Sequence, residues 1–331
     1  MAVAGAPNVN ESLDFKAIAG VYSSTADLLR LRYLAQDLTL VTRRNSQALM
    51  DGIQRTHFRG RGMEFAEVRP YQAGDDIRNI DWRVTARTQS PHTKLFQEER
   101  ERPVFVMVDQ RSPMFFGSRL QFKSVFATEL AAIIGWAAQA NNDRIGALVF
   151  GDHDQRDIRA RRGKHAVLEL LHQLLAYNHA LTTPMPQSNS ISMAVMLSDL
   201  RRVAKPGSSV FVLSDFHDFD ETCRESLFTL TKHCDATLIN IYDPLEKQLP
   251  QRGLLPITDG QHRLLLNASS KVTRQTFSQR FTDRLSLLRT TCNSAGIPLV
   301  NAELNQSAEQ LALALFSEDR QKTHSSRREL S

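Results

Sequence analysis

The sequence predicts an α/β protein: a doubly wound, mostly parallel sheet with an N-terminal helix and a small β-containing module before it. Three observations carry this. Apolar strands alternate with helical patterns from residue 103 onward, which builds a parallel sheet with helices on both faces. The first of those strands, Val104-Phe105-Val106-Met107-Val108, is apolar without a break, as strands covered on both faces are. Two apolar strands end in aspartate, at Asp109 and Asp215. That places both carboxylates on the rim at the C-terminal strand ends, where such sheets bind ligands.

In order along the chain, residues 1–22 have no clear period and read as a flexible leader. Ser23 and Ser24 offer helix caps, and Leu28, Leu31, Leu34 and Leu38 give an amphipathic helix over about 25–38. With a loop through Arg59-Gly60-Arg61-Gly62 and a charged, aromatic stretch from Glu67, this completes an N-terminal part over 23–102. The charged stretch reads as short strands and turns, with Ile77, Ile80, Val84 and Leu95 as buried anchors. The sheet domain spans 103–316. Its helices are expected near 119–140, 164–176, 191–203, 220–233, 270–294 and 307–316. Further strands are expected at 144–150, 157–160, 208–213, 236–242 and 297–302, the 157–160 piece closing a hairpin. Pieces near 253–258 and 262–266 read as an addition to the sheet edge, and 317–331 as a polar tail.

Composition narrows the function classes. The chain has 331 residues, 41% of them hydrophobic and 23% charged, an ordinary globular balance able to bury a full core. No apolar run approaches the roughly 20 residues that span a bilayer. No secretory signal is visible in Met1–Asn10. Cys223, Cys234 and Cys292 form no C-x-x-C pair, which suits buried thiols in the reducing cytoplasm. A net charge of +5 is compatible with an acidic partner but does not argue for nucleic acid. Phosphate-loop, dinucleotide, zinc-protease, nucleophile-elbow and kinase motifs are all absent, so no catalytic residue is assigned.

The block Glu64-Phe65-Ala66-Glu67-Val68-Arg69-Pro70-Tyr71, then Gly74-Asp75-Asp76-Ile77-Arg78-Asn79-Ile80-Asp81-Trp82-Arg83, resembles the hallmark of the family called domain of unknown function 58. The likeness continues through Leu95–Pro103, the strand to Asp109, Phe116-Gly117-Ser118-Arg119 and Asp143-Arg144-Ile145-Gly146, over roughly 25–220. The resemblance implies a von Willebrand factor A-like, Rossmann-like domain behind the family's own module. It also implies a bacterial, non-enzymatic adaptor working with a MoxR-type AAA+ ATPase, and with other von Willebrand A-domain proteins of the same system, to assemble or activate client proteins.

Von Willebrand A domains often hold a metal through D-x-S-x-S after the first strand and a later Asp. Here the first strand ends Asp109-Gln110-Arg111-Ser112-Pro113. Asp109 fits, Asp215 stands in for the later Asp, Ser112 is out of step, and Ser190 or Ser192 is the nearest hydroxyl for the remaining position. Asp109, Ser112 and Asp215 are thus the candidate Mg²⁺ ligands, since hard cations take oxygen ligands. Arg111 would instead bring its own positive charge and could pair with Asp109 or Asp215 in place of the metal.

Two further groups are partner-binding candidates. Arg69, Asp75, Asp76, Arg78, Asp81, Trp82 and Arg83 could form a salt-bridged module or a docking surface. Asp75 or Asp76 suits a helix cap, and Trp82 is expected to pack against the sheet. The carboxylates of 75–81 could instead serve a divalent-metal-dependent hydrolase, though no base or nucleophile accompanies them. The run 156–165, with Arg161 and Arg162, could meet an acidic partner or guard a sheet edge. Arg111 completes the partner-binding set, and a purely structural scaffold stays open.

Overall fold

The structure, a computed structural model, describes residues 20–40, 63–72, 75, 77–98, 103–181, 190–258 and 263–317. Most of the leader, the Arg59–Gly62 loop, Asp76 and all but Ser317 of the polar tail lie outside the described residues. The chain forms two compact units: Arg44–Arg102, and Met1–Arg43 together with Pro103–Ser331.

The N-terminal helix is two short pieces, α1 (Thr25–Arg30) and α2 (Arg32–Ala35), capped by the Ser24 side chain at Asp27 N. Of the expected stripe, Leu28, Leu31 and Leu38 are buried and Leu34 is half-buried, while Ala35, outside that stripe, is buried too. Expected to go with the charged module, the helix instead belongs to the sheet unit. There the indole Nε1 of Trp136 donates to Leu28 O at 3.0 Å.

The charged module pairs β1 (Met63–Pro70) with β2 (His92–Glu98), antiparallel. Between them lie a 3-10 turn, Ile77–Asn79, and a helix not expected from the pattern, α3 (Trp82–Thr88). Asp81 is its N-cap and accepts from Arg83 N (3.0 Å) and Val84 N (3.2 Å). Asp81 caps this later helix; of the two caps expected for the turn carrying Ile77, Asp75 instead accepts from Gln72 N, and Asp76 lies outside the described residues. Ile77 is no anchor: it is exposed.

The sheet unit runs β3 (Pro103–Asp109), α4 (Lys123–Ala140), β4 (Arg144–Phe150), β5 (Gln155–Arg161), α5 (Lys164–Ala180), α6 (Met193–Val203), β6 (Ser209–Ser214), α7 (Glu221–Leu230), β7 (Asp235–Tyr242) and α8 (Pro244–Lys247). It closes with β8 (Leu254–Thr258), β9 (Arg263–Asn267), α9 (Lys271–Ala295), β10 (Leu299–Glu303) and α10 (Ala308–Phe316). The six-stranded sheet has the order β10-β7-β6-β3-β4-β5. It is parallel except for β5, the expected hairpin partner of β4. Counted along the sheet strands alone this is 3-2-1-4-5-6 from the β5 edge, the doubly wound order in which ligands sit where the order reverses. The fold is the expected α/β class, a doubly wound and mostly parallel sheet.

Strand alternation divides the core. Val104, Val106 and Val108 join Phe126, Leu130, Leu170 and Leu311 on one face. Phe105 and Met107 join Met196, Leu200, Leu227 and Leu288 on the other. Each such buried side chain contributes about 1.5–3 kcal/mol. Where β4 shifts register against β5, Gly146 is required: a Cβ there would lie 2.7 Å from the Phe105 ring and 2.9 Å from Ala160 N. A further expectation fails. β8 and β9 do not extend the central sheet but form a separate two-stranded sheet.

Candidate functional site

The rim at the C-terminal ends of β3 and β6 carries the chemistry. β3 delivers Asp109 and β6 ends one residue before Asp215, both fully buried. Arg111 follows β3, and its side chain is 0% exposed. Its Nε donates to Asp109 Oδ1 at 3.0 Å and its Nη2 to Asp109 Oδ2 at 2.8 Å. The outer edge of the guanidinium grips Asp218, Nη1 to Oδ2 at 2.8 Å and Nη2 to Oδ1 at 3.0 Å. Nη1 also donates to Ile191 O at 2.9 Å. All five guanidinium N–H groups are thereby used. The Phe150 ring lies 5.2 Å from the guanidinium carbon. Ser214 Oγ donates to Asp109 Oδ2 at 2.6 Å, and Met193 N to Asp218 Oδ2 at 2.8 Å.

A second cation holds Asp215. Lys123, the first residue of α4, is 1% exposed and donates to Asp215 Oδ2 and Glu246 Oε1, each at 2.7 Å. His217 approaches Asp215 Oδ1 through its backbone N (3.1 Å) and Nδ1 (3.0 Å), and Asp218 Oδ1 at 3.8 Å. It thus stands between the two cation clusters. Glu246 is fixed by a capping box with Asp243, whose carboxylate also accepts from Ser118 N (2.7 Å) and Oγ (2.6 Å). Ser112 turns away from Asp109 and donates through Oγ to Asp152 at 2.5 Å. Ser192 caps α6.

The electrostatics follow. Burial works against the charge of Arg111, but Asp109 and then Asp218 overcome it and hold the guanidinium above its ordinary value. Lys123 is raised in the same way, by Asp215 and Glu246 against burial. Burial would raise Asp215, yet Lys123 and then His217 hold it well below the usual carboxylate range. Asp218 is lowered chiefly by Arg111 against burial. For His217, burial opposes the proton and the bond to Asp215 more than restores it, so the imidazole is raised. Every charge here is paired and hydrogen-bonded, as burial demands.

Asp109, Ser112 and Asp215 do not fit Mg²⁺. A divalent cation needs open oxygen lone pairs arranged about one point. Both Asp109 oxygens accept N–H or O–H donors, Asp215 is held by an ammonium, and the Ser112 hydroxyl serves Asp152. No group of three or more His, Cys, Asp or Glu among the described residues could hold a metal. Arg111 was a partner-binding candidate, but a fully buried guanidinium cannot touch a partner; it positions the rim loops. Lys123, Asp218, His217 and Glu246 escaped sequence reasoning. Cys223 and Cys292 are buried, and burial pushes their thiols up to about 12.

The other candidates divide between the two units. In the charged module, Asp75 accepts from Arg69 Nη2 and Gln72 N at 2.7 and 2.9 Å, and Asp81 caps α3. Asp75 and Asp81 therefore hold the module's own turns, and Asp76, the third carboxylate of the hydrolase reading, lies outside the described residues. Trp82, expected to be packed, is 69% exposed, and Arg78 and Arg83 are exposed as well. In the sheet unit, Arg161 and Arg162 are exposed at the end of β5. No helix among the described residues is long and apolar enough to cross a membrane.

Comparison with known proteins agrees with the sequence resemblance. The model of the family described as "Protein of unknown function DUF58" matches residues 67–285. An uncharacterized protein of Mycobacterium bovis and another of Mycobacterium tuberculosis are each 26% identical over 274 residues, covering 82% of this chain and 84% of theirs. Among solved structures, the conserved hypothetical protein BatB from Bacteroides thetaiotaomicron has a TM-score of 0.42 at 13% identity, covering 68% of this chain and 99% of its own. The SpRpn10 VWA domain has a TM-score of 0.33 at 11% identity, covering 64% and 94%.

Proposed function

The chain belongs to the family of proteins of unknown function DUF58, and from that premise we propose that it is a cytoplasmic, non-enzymatic protein-interaction module. Its rim works without a metal, and it acts beside a MoxR-type AAA+ ATPase in assembling or activating client proteins. The buried Arg111 carries the reading. At the place where a doubly wound sheet binds its ligands, an internal guanidinium fills the polar sites and ties β3, the Ile191 loop and the Asp218 loop into one rigid rim. Such a rim presents a fixed shape, and among the described residues no group of three or more His, Cys, Asp or Glu could hold a metal. The ATPase is what the resemblance implies for a partner. The exposed Trp82 and Arg83 of the charged module supply an aromatic and a cation of the kind enriched at interface anchors.

The test is direct binding of the purified full chain to a MoxR-type ATPase from the same cell, loaded with a non-hydrolysable ATP analogue or with ADP. Binding that depends on the nucleotide, and weakens about tenfold or more in Trp82→Ala or Arg83→Glu, is expected. No binding in either nucleotide state, with both proteins folded, would overturn the proposal.

A further inference from the structure

The β8–β9 hairpin is an unfinished sheet. Its strands pair only with each other among the described residues, and a lone two-stranded sheet is marginal in water unless more strands or a helix complete it. Each face carries exposed apolar side chains, with Leu255 and Leu266 half-buried. Leu254 and Leu265 are 63% and 65% exposed on one; Ile257 and Leu264 are 44% and 59% exposed on the other. The edge of the central sheet shows how this protein guards a strand it leaves open: β5 carries Arg156, Arg159 and Arg161, charges that discourage pairing. β9 carries three consecutive leucines between Arg263 and Asn267. Pro256 blunts β8, since a proline gives no N–H to a ladder. β9 has no such block.

We propose that β9 pairs with β9 of a second copy of this chain, antiparallel and centred on Leu265, to make a four-stranded sheet across a two-fold axis. The sequence of β9 is complementary to itself in that register. Leu265 meets Leu265, Leu264 meets Leu266, and Arg263 meets Asn267, so no like charges face each other. The known register continues the rows. Leu255 is opposite Leu266 and Ile257 opposite Leu264. Each row on that face then reads Leu255, Leu266, and Leu264 and Ile257 of the second copy: four apolar side chains in contact across four strands. On the opposite face Pro256 and Leu265 continue into Leu265 and Pro256 of the second copy. The hairpin shares no residue with the rim or with the charged module, so its failure would leave the proposed function standing.

Sedimentation equilibrium of the full-length protein, over a wide concentration range, tests this. The wild type is expected to dimerise. Leu265→Arg, which sets two like charges opposite each other, is expected to weaken association at least about tenfold, while circular dichroism, and Tm at concentrations where both proteins are monomeric, stay unchanged. A second variant guards against a folding defect. Leu265→Cys faces itself and is expected to form an intermolecular disulfide on mild oxidation, while Leu264→Cys, facing Leu266, forms it far more slowly. The three native cysteines are buried and do not interfere. The proposal is overturned by a wild type monomeric at every concentration, by a dimer indifferent to Leu265→Arg, or by faster cross-linking at 264 than at 265. A monomer that floats with phosphatidylglycerol vesicles through the same leucines would overturn it too, assigning the hairpin to a lipid surface.

Discussion

Arg111 and Asp109 form a two-point ion pair inside the protein, Nη2 to Oδ2 at 2.8 Å and Nε to Oδ1 at 3.0 Å, with both side chains 0% exposed. Neither charge can reach water if the other is removed. Breaking a buried pair by deleting one partner costs about 3–5 kcal/mol, because the remaining charge stays uncompensated. Arg111→Met is therefore expected to lose stability on that scale in urea unfolding. Arg111→Lys should also lose, since an ammonium cannot hold Asp109 and Asp218 by parallel pairs of bonds. The double variant Asp109→Asn, Arg111→Met should recover part of the loss. A single-variant cost under about 1 kcal/mol would mean that the pair is not dry as described.

Lys123→Met tests the second cluster through its pH dependence. In the wild type the Asp215 carboxyl is held well below its ordinary value by Lys123 and His217 against burial. Its contribution is therefore present above the unfolded value and lost only as pH falls through the lower folded one. Without the ammonium, burial is opposed by His217 alone and the carboxyl rises. The variant's deficit should then be large at neutral pH and shrink toward pH 4. Parallel curves for wild type and variant across that range would contradict the assignment.

Glu129 predicts a loss of stability on the alkaline side. Burial first, then the charges of Glu309 and Asp27, push its carboxyl up to about 7, with the Gln121 bond of 3.2 Å opposing. A carboxyl raised in the folded state contributes stability that is complete below its unfolded value near 4.5 and is lost as pH rises through about 7. Glu129→Gln removes that loss. Its Tm should match wild type near pH 4.5 and exceed it at pH 8. Equal Tm values at pH 8 would show that the ionised carboxylate is not destabilising.

These residues show what the sequence makes legible. Asp109 and Asp215 could be placed on the rim because apolar strands end at them, and Arg111 could be set against the metal because it sits two residues on. Lys123 was hidden among the apolar residues that open α4. A cation in the first turn of a helix opposes the helix dipole, and that was the available signal for a residue with a buried partner. Glu246 was also readable, as the fourth residue of the Asp243-Pro244-Leu245-Glu246 capping box. Asp218 was not: its role depends on a loop geometry, with Phe216 at φ +48°, that no local pattern specifies. The β8–β9 pieces were found as strands but misplaced, because apolar alternation gives a strand and says nothing of which sheet it joins.

The rim also predicts indifference to divalent cations. A ligand that binds only the folded state raises stability by RT ln(1 + [L]/Kd), about 2.7 kcal/mol at a hundredfold excess over Kd. To enter here, Mg²⁺ would have to displace Arg111 from Asp109 or Lys123 from Asp215, leaving a buried cation beside a dication. The wild type should therefore show the same Tm in excess Mg²⁺, in Mn²⁺ and in EDTA, and no heat of binding on titration with either ion. A saturable Tm rise with Mg²⁺ that disappears in Asp109→Asn would place a metal at the rim after all. It would require Arg111 to swing out of its pocket, a movement its five hydrogen bonds oppose.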